Sequence, residues 1–157
     1  MVESARILYV EDDLGCARLM QEVLAEASYS VETFQTGAAF LARLGEGAAD
    51  LVLLDLQLPD ATGLDLLRRL TGIRPGLPAI MVTGSETVDD AVASMKLGAL
   101  DYLSKPFDPQ RLILSIRNAL KMSRGQQVVD RLRADLGDRY ALEHLVGIAF
   151  HEMAVLE

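Results

Sequence analysis

Several features that would assign this chain to a familiar class are scarce or missing. Cys16 is the only cysteine, so an internal disulfide is impossible and a cytoplasmic location is expected. No apolar run approaches the roughly 20 residues that a membrane-spanning helix requires. Acids follow the first short apolar run at once, unlike a signal peptide. The two histidines, His144 and His151, lie far along the chain from the other candidate ligands, so no soft transition-metal site is expected.

An excess of positive charge is also absent. The 157-residue chain has a net charge of −8, and all of it lies in residues 1–107, which contain 8 Lys+Arg and 16 Asp+Glu. Residues 108–157 contain 7 of each and are neutral. Because contact with a phosphate backbone needs a basic surface, direct nucleic-acid binding is not expected of the acidic part.

Short apolar runs alternate along the chain with helical patterns. Strands are predicted at residues 6–10, 29–34, 49–54, 78–82 and 101–104, and helices at 14–27, 36–44, 64–70, 88–97 and from 109 onward. Thr36 and Asp108 suit helix N-caps, and Pro109 suits a first helical position. Repeated β–α alternation predicts an α/β fold with a doubly wound parallel sheet and helices on both faces.

The polar residues that follow the predicted strands form a second pattern. Glu11 and Asp12 follow the first strand, Asp55 the third, Thr83 the fourth and Lys105 the fifth. Ligand sites of open parallel sheets lie outside the carboxyl ends of the strands, so these side chains should share one crevice. Three neighbouring carboxylates repel one another unless a cation joins them, and an all-oxygen set suits Mg²⁺. One carboxylate could then attack a phosphoryl group, with Lys105 neutralising developing charge and Thr83 donating a hydrogen bond.

The segments that carry these residues resemble the receiver domain of bacterial two-component response regulators. The matching segments are residues 7–13, 51–55 with Pro59 and Gly63, 81–84 and 101–107, and the resemblance covers residues 5 to about 122. It implies a flavodoxin-like sheet of five strands in the order 2-1-3-4-5. It also implies a receiver domain over residues 1–122 that accepts a phosphoryl group from a sensor histidine kinase or phosphotransfer protein, without being a turnover enzyme.

The resemblance assigns the phosphoacceptor and the metal ligands. Asp55 would be the phosphoacceptor, and Asp12, Asp55 and the backbone carbonyl of Gln57 would bind Mg²⁺ directly. Glu11 would hold a metal-bound water, although the family more often has Asp at this position. Gln57 and Ser85 would occupy two variable positions that tune loss of the phosphoryl group.

The resemblance also assigns the residues that respond to phosphorylation. Lys105 would pair with the phosphoryl group and precede a cis bond to Pro106, and the backbone N–H of Gly84 would contact the same group. Thr83 and Tyr102 would form a switch pair, in which the hydroxyl moves to the phosphate and the ring turns inward. This pair links the phosphate to the face built from residues 86–122, which is expected to carry a partner or homodimer contact.

The remaining sequence leaves alternatives open. Residues 123–139 are predicted to be a helical linker ending at Gly137, with a coiled-coil spacing of about two heptads at Met122, Gly125, Val129, Leu132 and Leu136. The helix from 122 to 136 either packs on its own domain or pairs with a second copy. Residues 140–157 are faintly similar, at Leu145–Gly147 and Met153, to the start of the AAA+ ATPase module of enhancer-binding transcription activators. A plain C-terminal helix is the alternative, since no Gly-Lys-Ser/Thr loop is present.

Two other functions compete with the phosphorylated switch. The first is a scaffold of the same fold that only binds a partner, but such a protein has no need of a costly cluster of acids. The second is a phosphohydrolase with Asp55 as nucleophile. Such enzymes usually carry a second acid two residues further on, where this chain has Gln57.

Overall fold

A parallel sheet of five strands forms the centre of the computed structural model, in the order β2-β1-β3-β4-β5. The structure describes the backbone of residues 4–85 and 87–156, and the side chains of residues 4–85, 87–129 and 131–134. The elements are β1 Arg6–Val10, α1 Leu14–Glu26, β2 Ser30–Phe34, α2 Gly37–Leu44, β3 Leu51–Leu54, α3 Gly63–Ile73, β4 Ala79–Thr83, α4 Val88–Lys96, β5 Asp101–Ser104 and α5 Pro109–Leu156. The predicted fold class and strand order are confirmed.

The helices cover both faces of the sheet because alternate residues of each strand point to opposite sides. In β1, Ile7 and Tyr9 pack with α1 and the start of α5, whereas Leu8 and Val10 pack with α2 and α3. All four residues of β3 are buried. A continuous apolar run is therefore explained by burial on both sides, as is usual for a central parallel strand.

Side-chain caps fix where the helices begin. Asp13, Thr36, Thr62 and Thr87 each accept a hydrogen bond from the backbone N–H three residues later, at the starts of α1 to α4. The predicted cap at Thr36 is confirmed, and Asp108 accepts from the N–H of Gln110 at the start of α5. The caps of α1, α2 and α4 lie two to four residues after the preceding strand, whereas Thr62 lies eight residues after β3. The polar loop residues nevertheless remain at one edge of the sheet, because all the strands are parallel.

Two predicted helix ends were wrong. α3 continues past Gly72 to Ile73, and α5 continues past Gly137 to Leu156. One glycine costs a helix only about 1 kcal/mol relative to alanine. In α3 that cost is outweighed by the burial of Leu66, Leu67 and Leu70 on the sheet.

The chain divides into two units, residues 1–123 and residues 124–157, and the second is helical through Leu156. Val129 and Leu132 of the predicted coiled-coil positions are exposed, whereas the side chain of Leu136 lies outside the described residues. The segments that resemble an ATPase module, Leu145–Gly147 and Met153, also have side chains outside the described set. Among the described residues, no helix has the length and apolar composition needed to cross a membrane.

Candidate functional site

A cavity of about 770 Å³ lies at the carboxyl ends of β1, β3, β4 and β5. It brings together eight residues that sequence reasoning selected: Glu11, Asp12, Asp55, Gln57, Thr83, Gly84, Ser85 and Lys105. They converge because parallel strands end at the same edge of the sheet, so each β–α loop begins beside its neighbours. Tyr102 is the one selected residue that does not line this cavity.

Three carboxylates of the cavity are arranged as a metal site. Glu11, Asp12 and Asp55 each offer one oxygen, and these oxygens lie within 4.8 Å of one another. Glu11 is 1% exposed and Asp55 is 7% exposed, whereas Asp12 is open to solvent. A set of hard oxygen donors with one solvent-facing side fits Mg²⁺, which prefers carboxylates and keeps several of its waters.

Lys105 is the cation that faces these acids from β5. Its ammonium donates to Asp55 Oδ2 at 2.8 Å and also to Glu11 Oε1. The bond from Lys105 to Pro106 is cis, as the resemblance implied. Burial lowers the pKa of Lys105, but hydrogen bonds and charge from Asp55 and Glu11 outweigh it, and the net pKa is raised. Lys105 therefore stays protonated and offsets one of two buried negative charges.

The two buried acids differ in their affinity for a proton. Burial raises the pKa of both, and in Glu11 burial together with the nearby charge of Asp55 outweighs Lys105, so the pKa stays raised. In Asp55 the hydrogen bond and charge of Lys105 outweigh burial, and the pKa is lowered. Of these two carboxyl groups, Asp55 therefore holds a proton less tightly than Glu11.

The loop after β4 connects the cavity to β5 and α4. The Thr83 hydroxyl accepts a hydrogen bond from the backbone N–H of Ser85 at 3.3 Å. The Tyr102 hydroxyl donates to the backbone carbonyl of Ser85 at 3.0 Å, and the Ser85 hydroxyl donates to Asp90 Oδ2 at 2.5 Å. Tyr102 is half-buried and reaches the cavity only through Ser85. Ser85 therefore joins the two residues that the sequence assigned to a switch.

Sequence reasoning missed one residue behind the cavity. Tyr9 is fully buried in β1, and its hydroxyl donates to Glu11 Oε1 at 3.0 Å. Burial, with the charge of Glu11, raises the pKa of Tyr9 far above its usual value, so the phenol remains protonated and can only act as a donor to this carboxylate. Residues two apart in a strand share one face, and this spacing could have linked the two residues in the sequence.

A second missed residue is Asp60, in the loop between β3 and α3. Its carboxylate oxygens accept the backbone N–H groups of Gly37 at 2.8 Å and Ala38 at 2.9 Å. These bonds hold the pKa of Asp60 below its usual range. Asp60 therefore anchors the loop that follows Asp55 to the first turn of α2, and no local sequence signal marks a bond across 22 or 23 residues.

Comparison with known proteins identifies a family. Residues 7–117 match the family model described as "Response regulator receiver domain". YkoG of Bacillus subtilis (strain 168), an uncharacterised transcriptional regulatory protein, is 38% identical over 122 residues, which is 78% of this chain and 54% of YkoG. Among solved structures, a CheY-like receiver domain protein from Methanospirillum hungatei JF-1 has a TM-score of 0.75 and 33% identity, covering 79% of this chain and 99% of that one.

A longer solved structure is also similar. NtrX from Brucella abortus, in complex with ADP, has a TM-score of 0.79 and 33% identity, covering 87% of this chain and 31% of NtrX. The chain thus spans about half the length of YkoG and about a third of NtrX. The shared part is the part that contains the acidic cavity.

Proposed function

Because this chain belongs to the response regulator receiver family, we propose that it is a phosphorylation-controlled switch in which Asp55 is the phosphoacceptor. The donor is a sensor histidine kinase or a phosphotransfer protein. The observation that carries the proposal is the setting of Asp55: its carboxylate is nearly buried and held 2.8 Å from the Lys105 ammonium, in a cavity with three further acids. A carboxylate with those neighbours is available to attack phosphorus.

Mg²⁺ is the cofactor that the donor set fits. Asp12, Asp55 and the backbone carbonyl of Gln57 would hold the ion, with Glu11 reaching it through a water, since these four residues line one cavity and the three carboxylates cluster there. When bound, the ion supplies positive charge that stabilises the phosphoryl oxygens.

The transfer itself needs little from the protein beyond position and charge. An Asp55 oxygen forms a bond to phosphorus while the bond from phosphorus to the donor's histidine nitrogen breaks, and that nitrogen keeps the electron pair. The Lys105 ammonium then turns from the two carboxylates to the phosphoryl oxygens. The Thr83 hydroxyl and the Gly84 N–H donate to those oxygens. The product is an acyl phosphate on Asp55, with one phosphoryl group accepted per chain, and the chain is not a turnover enzyme.

We assign the switch to the hydrogen bonds that link Thr83, Ser85 and Tyr102. At rest this hydroxyl accepts from the Ser85 N–H, and Ser85 accepts from the Tyr102 hydroxyl. When Thr83 turns to the phosphoryl group, the loop after β4 moves and Tyr102 moves with it. Two packings of one loop give the bistable element that a charge can bias.

The output surface is the face built from residues 86–122. On α4, Val88, Val92 and Met95 are 74%, 44% and 48% exposed, which leaves an apolar strip beside the switch. We assign the partner or homodimer contact to this face, with further pairing along the helix from 122 to 136, where Val129 and Leu132 are exposed. Sedimentation with and without beryllofluoride and Mg²⁺ tests this, and an unchanged mass and shape would contradict a dimer switch.

The wider role is control of transcription in the cytoplasm. The receiver would occupy residues 1–122 and a helical linker residues 123–139, and residues 140–157 would be either the beginning of an output domain or a plain C-terminal helix. Support comes from relatives that are named as transcriptional regulatory proteins and from the ADP bound to NtrX. An acidic receiver would leave contact with nucleic acid to another domain.

The decisive experiment is phosphorylation by a small donor. Wild type incubated with acetyl phosphate and Mg²⁺ should gain the mass of one phosphoryl group, and Asp55→Ala should gain none. The control variant Asp65→Asn removes an exposed acid on α3 and should label normally. Stoichiometric labelling of Asp55→Ala would refute the assignment. Absence of labelling in the wild type would favour the scaffold, and repeated turnover of small phosphate esters would favour the phosphohydrolase.

A further inference from the structure

Tyr9 is a polar residue buried in the middle of an apolar strand. It has no exposed surface, and its ring packs among Ile7, Leu51 and Leu53. Valine or leucine would fill such a position without needing a hydrogen-bond partner, whereas a buried hydroxyl is costly unless it is satisfied. The structure satisfies it with one acceptor, Glu11 Oε1, at 3.0 Å.

The two oxygens of Glu11 have different surroundings. Oε1 accepts from both the Tyr9 hydroxyl and the Lys105 ammonium. From the residues that the structure describes, Oε2 accepts one long hydrogen bond, 3.4 Å, donated by the backbone N–H of Asp13. Oε2 is therefore the oxygen that is less restrained, and it belongs to the acid that joins Asp12 and Asp55 in the metal site.

Glu11 needs more restraint than an aspartate would. Its side chain has one more rotatable bond, and immobilising such a bond costs conformational entropy. Lys105 supplies one restraint only while it faces the two carboxylates. On the proposed function, phosphorylation turns Lys105 to the phosphoryl group. Of the two side chains that now donate to Glu11 Oε1, only Tyr9 then remains.

We propose that Tyr9 is a positioning residue for Glu11: its buried hydroxyl holds Oε1 so that Oε2 stays directed to the cation when Lys105 leaves. This inference rests on the proposed function, because it needs Lys105 to change partners. It adds to the site a residue that cannot reach the phosphate and acts only through Glu11. The hydroxyl matters more in the phosphorylated form than at rest.

The test compares two tyrosines of the same core. Tyr9→Phe keeps the ring and removes the hydroxyl, and Tyr29→Phe does the same at a half-buried position packed against the same cluster, at the opposite end of the sheet. We expect Tyr9→Phe to weaken Mg²⁺ binding about threefold, as measured by amide NMR shifts in a titration with Mg²⁺ alone. We expect it to weaken beryllofluoride binding at saturating Mg²⁺ about tenfold. Tyr29→Phe should change neither. Equal affinities of Tyr9→Phe and wild type in both titrations would overturn the proposal.

A double-mutant cycle separates positioning from general loosening. In a Glu11→Asp background the shorter carboxylate withdraws from the phenol, so adding Tyr9→Phe should have no further effect on either affinity. The same loss in both backgrounds would mean that the hydroxyl does not act through Glu11. A second measurement needs no variant: the Tyr9 hydroxyl proton in the wild type should show a contact to Glu11 that survives beryllofluoride. Loss of that contact would also overturn the proposal.

Failure of the proposed function gives a different pattern. A wild type that binds Mg²⁺ but takes neither beryllofluoride nor a phosphoryl label would refute the phosphorylated switch. The Mg²⁺ titration of Tyr9→Phe would then still decide whether the phenol positions Glu11. A wild type that does not bind Mg²⁺ would refute both.

Discussion

Gly63 offers a sharp test of how the phosphoacceptor is supported. It is the first residue of α3, and its N–H donates to the Leu56 carbonyl at 2.7 Å, which closes the loop after β3. A Cβ at this position would lie 2.9 Å from the carbonyl carbon of Asp55 and from the Cα of Leu56, and closer still to the Asp55 carbonyl oxygen. Real Cβ atoms essentially never approach so closely. Gly63→Ala must therefore move either α3 or the backbone of Asp55.

The size of the stability loss depends on which atoms the new Cβ would contact. Overpacking typically costs about 1–3 kcal/mol, and the lower values belong to flexible side chains that can turn aside. Here all three nearest atoms belong to the Asp55–Leu56 backbone, which cannot turn aside, so we expect a loss of about 3 kcal/mol in the free energy of unfolding. For a domain of this size that corresponds to a fall of about 10 °C in Tm. Displacing Asp55 should also weaken beryllofluoride binding.

Gly72→Ala is the matched control in the same helix. No atom lies within 4 Å of the Cβ that it would introduce. Replacing a helical glycine with alanine should raise stability by up to about 1 kcal/mol. Thermal melts of both variants, with beryllofluoride titrations at saturating Mg²⁺, check the pair. The steric argument would be refuted if Gly63→Ala melted close to the wild type and bound beryllofluoride equally well.

Three further predictions use other contacts. The lowered pKa of Asp60 means that its stabilising bonds are fully present above its unfolded pKa of about 3.9 and are lost as the pH falls through the lower folded value. The Tm gap between wild type and Asp60→Ala should therefore narrow below about pH 4, and a constant gap would contradict this. Lys105→Ala leaves two buried carboxylates without their cation, so the Tm should fall by the equivalent of about 3 kcal/mol. Added Mg²⁺ should raise the Tm of this variant more than that of the wild type, and equal increases would argue that Lys105 does not compensate these charges. Val92→Glu, at an exposed position of α4, should abolish any beryllofluoride-dependent dimer in sedimentation, whereas Leu19→Glu, at an exposed position of α1, should not. A dimer that survives Val92→Glu would mean that the dimer interface does not include α4.

Much of the fold and of the site geometry could be predicted from the sequence because local patterns agree with the final packing. Leu51 to Leu54 form an unbroken apolar run, which suits a strand buried on both faces, and the residue after it had to lie at the edge where other strands also end. Caps such as Thr36 mark helix starts because their bonds are made within three residues. These features depend on near neighbours.

The misses depend on distant neighbours or on competing energies. Asp60 bonds to α2, and nothing near Asp60 in the sequence specifies Gly37 as its partner. Tyr9 was interpreted only as a strand residue, because it lies within a short apolar run and the sequence does not show where its hydroxyl points. The helix predicted over residues 64–70 continues through Gly72, because a glycine penalty of about 1 kcal/mol is too small to stop a helix whose leucines are buried.

The position of Lys105 has a consequence for the life of the protein between signals. Its ammonium is shared by Glu11 and Asp55, so the domain carries a built-in counterion and need not wait for an external one in order to stay folded. On the proposed function, the ammonium that serves these two carboxylates at rest would face a phosphoryl group once Asp55 is modified. On the same proposal, such a domain would keep its buried charges compensated when divalent ions are scarce, and its lysine would change partners only after phosphorylation.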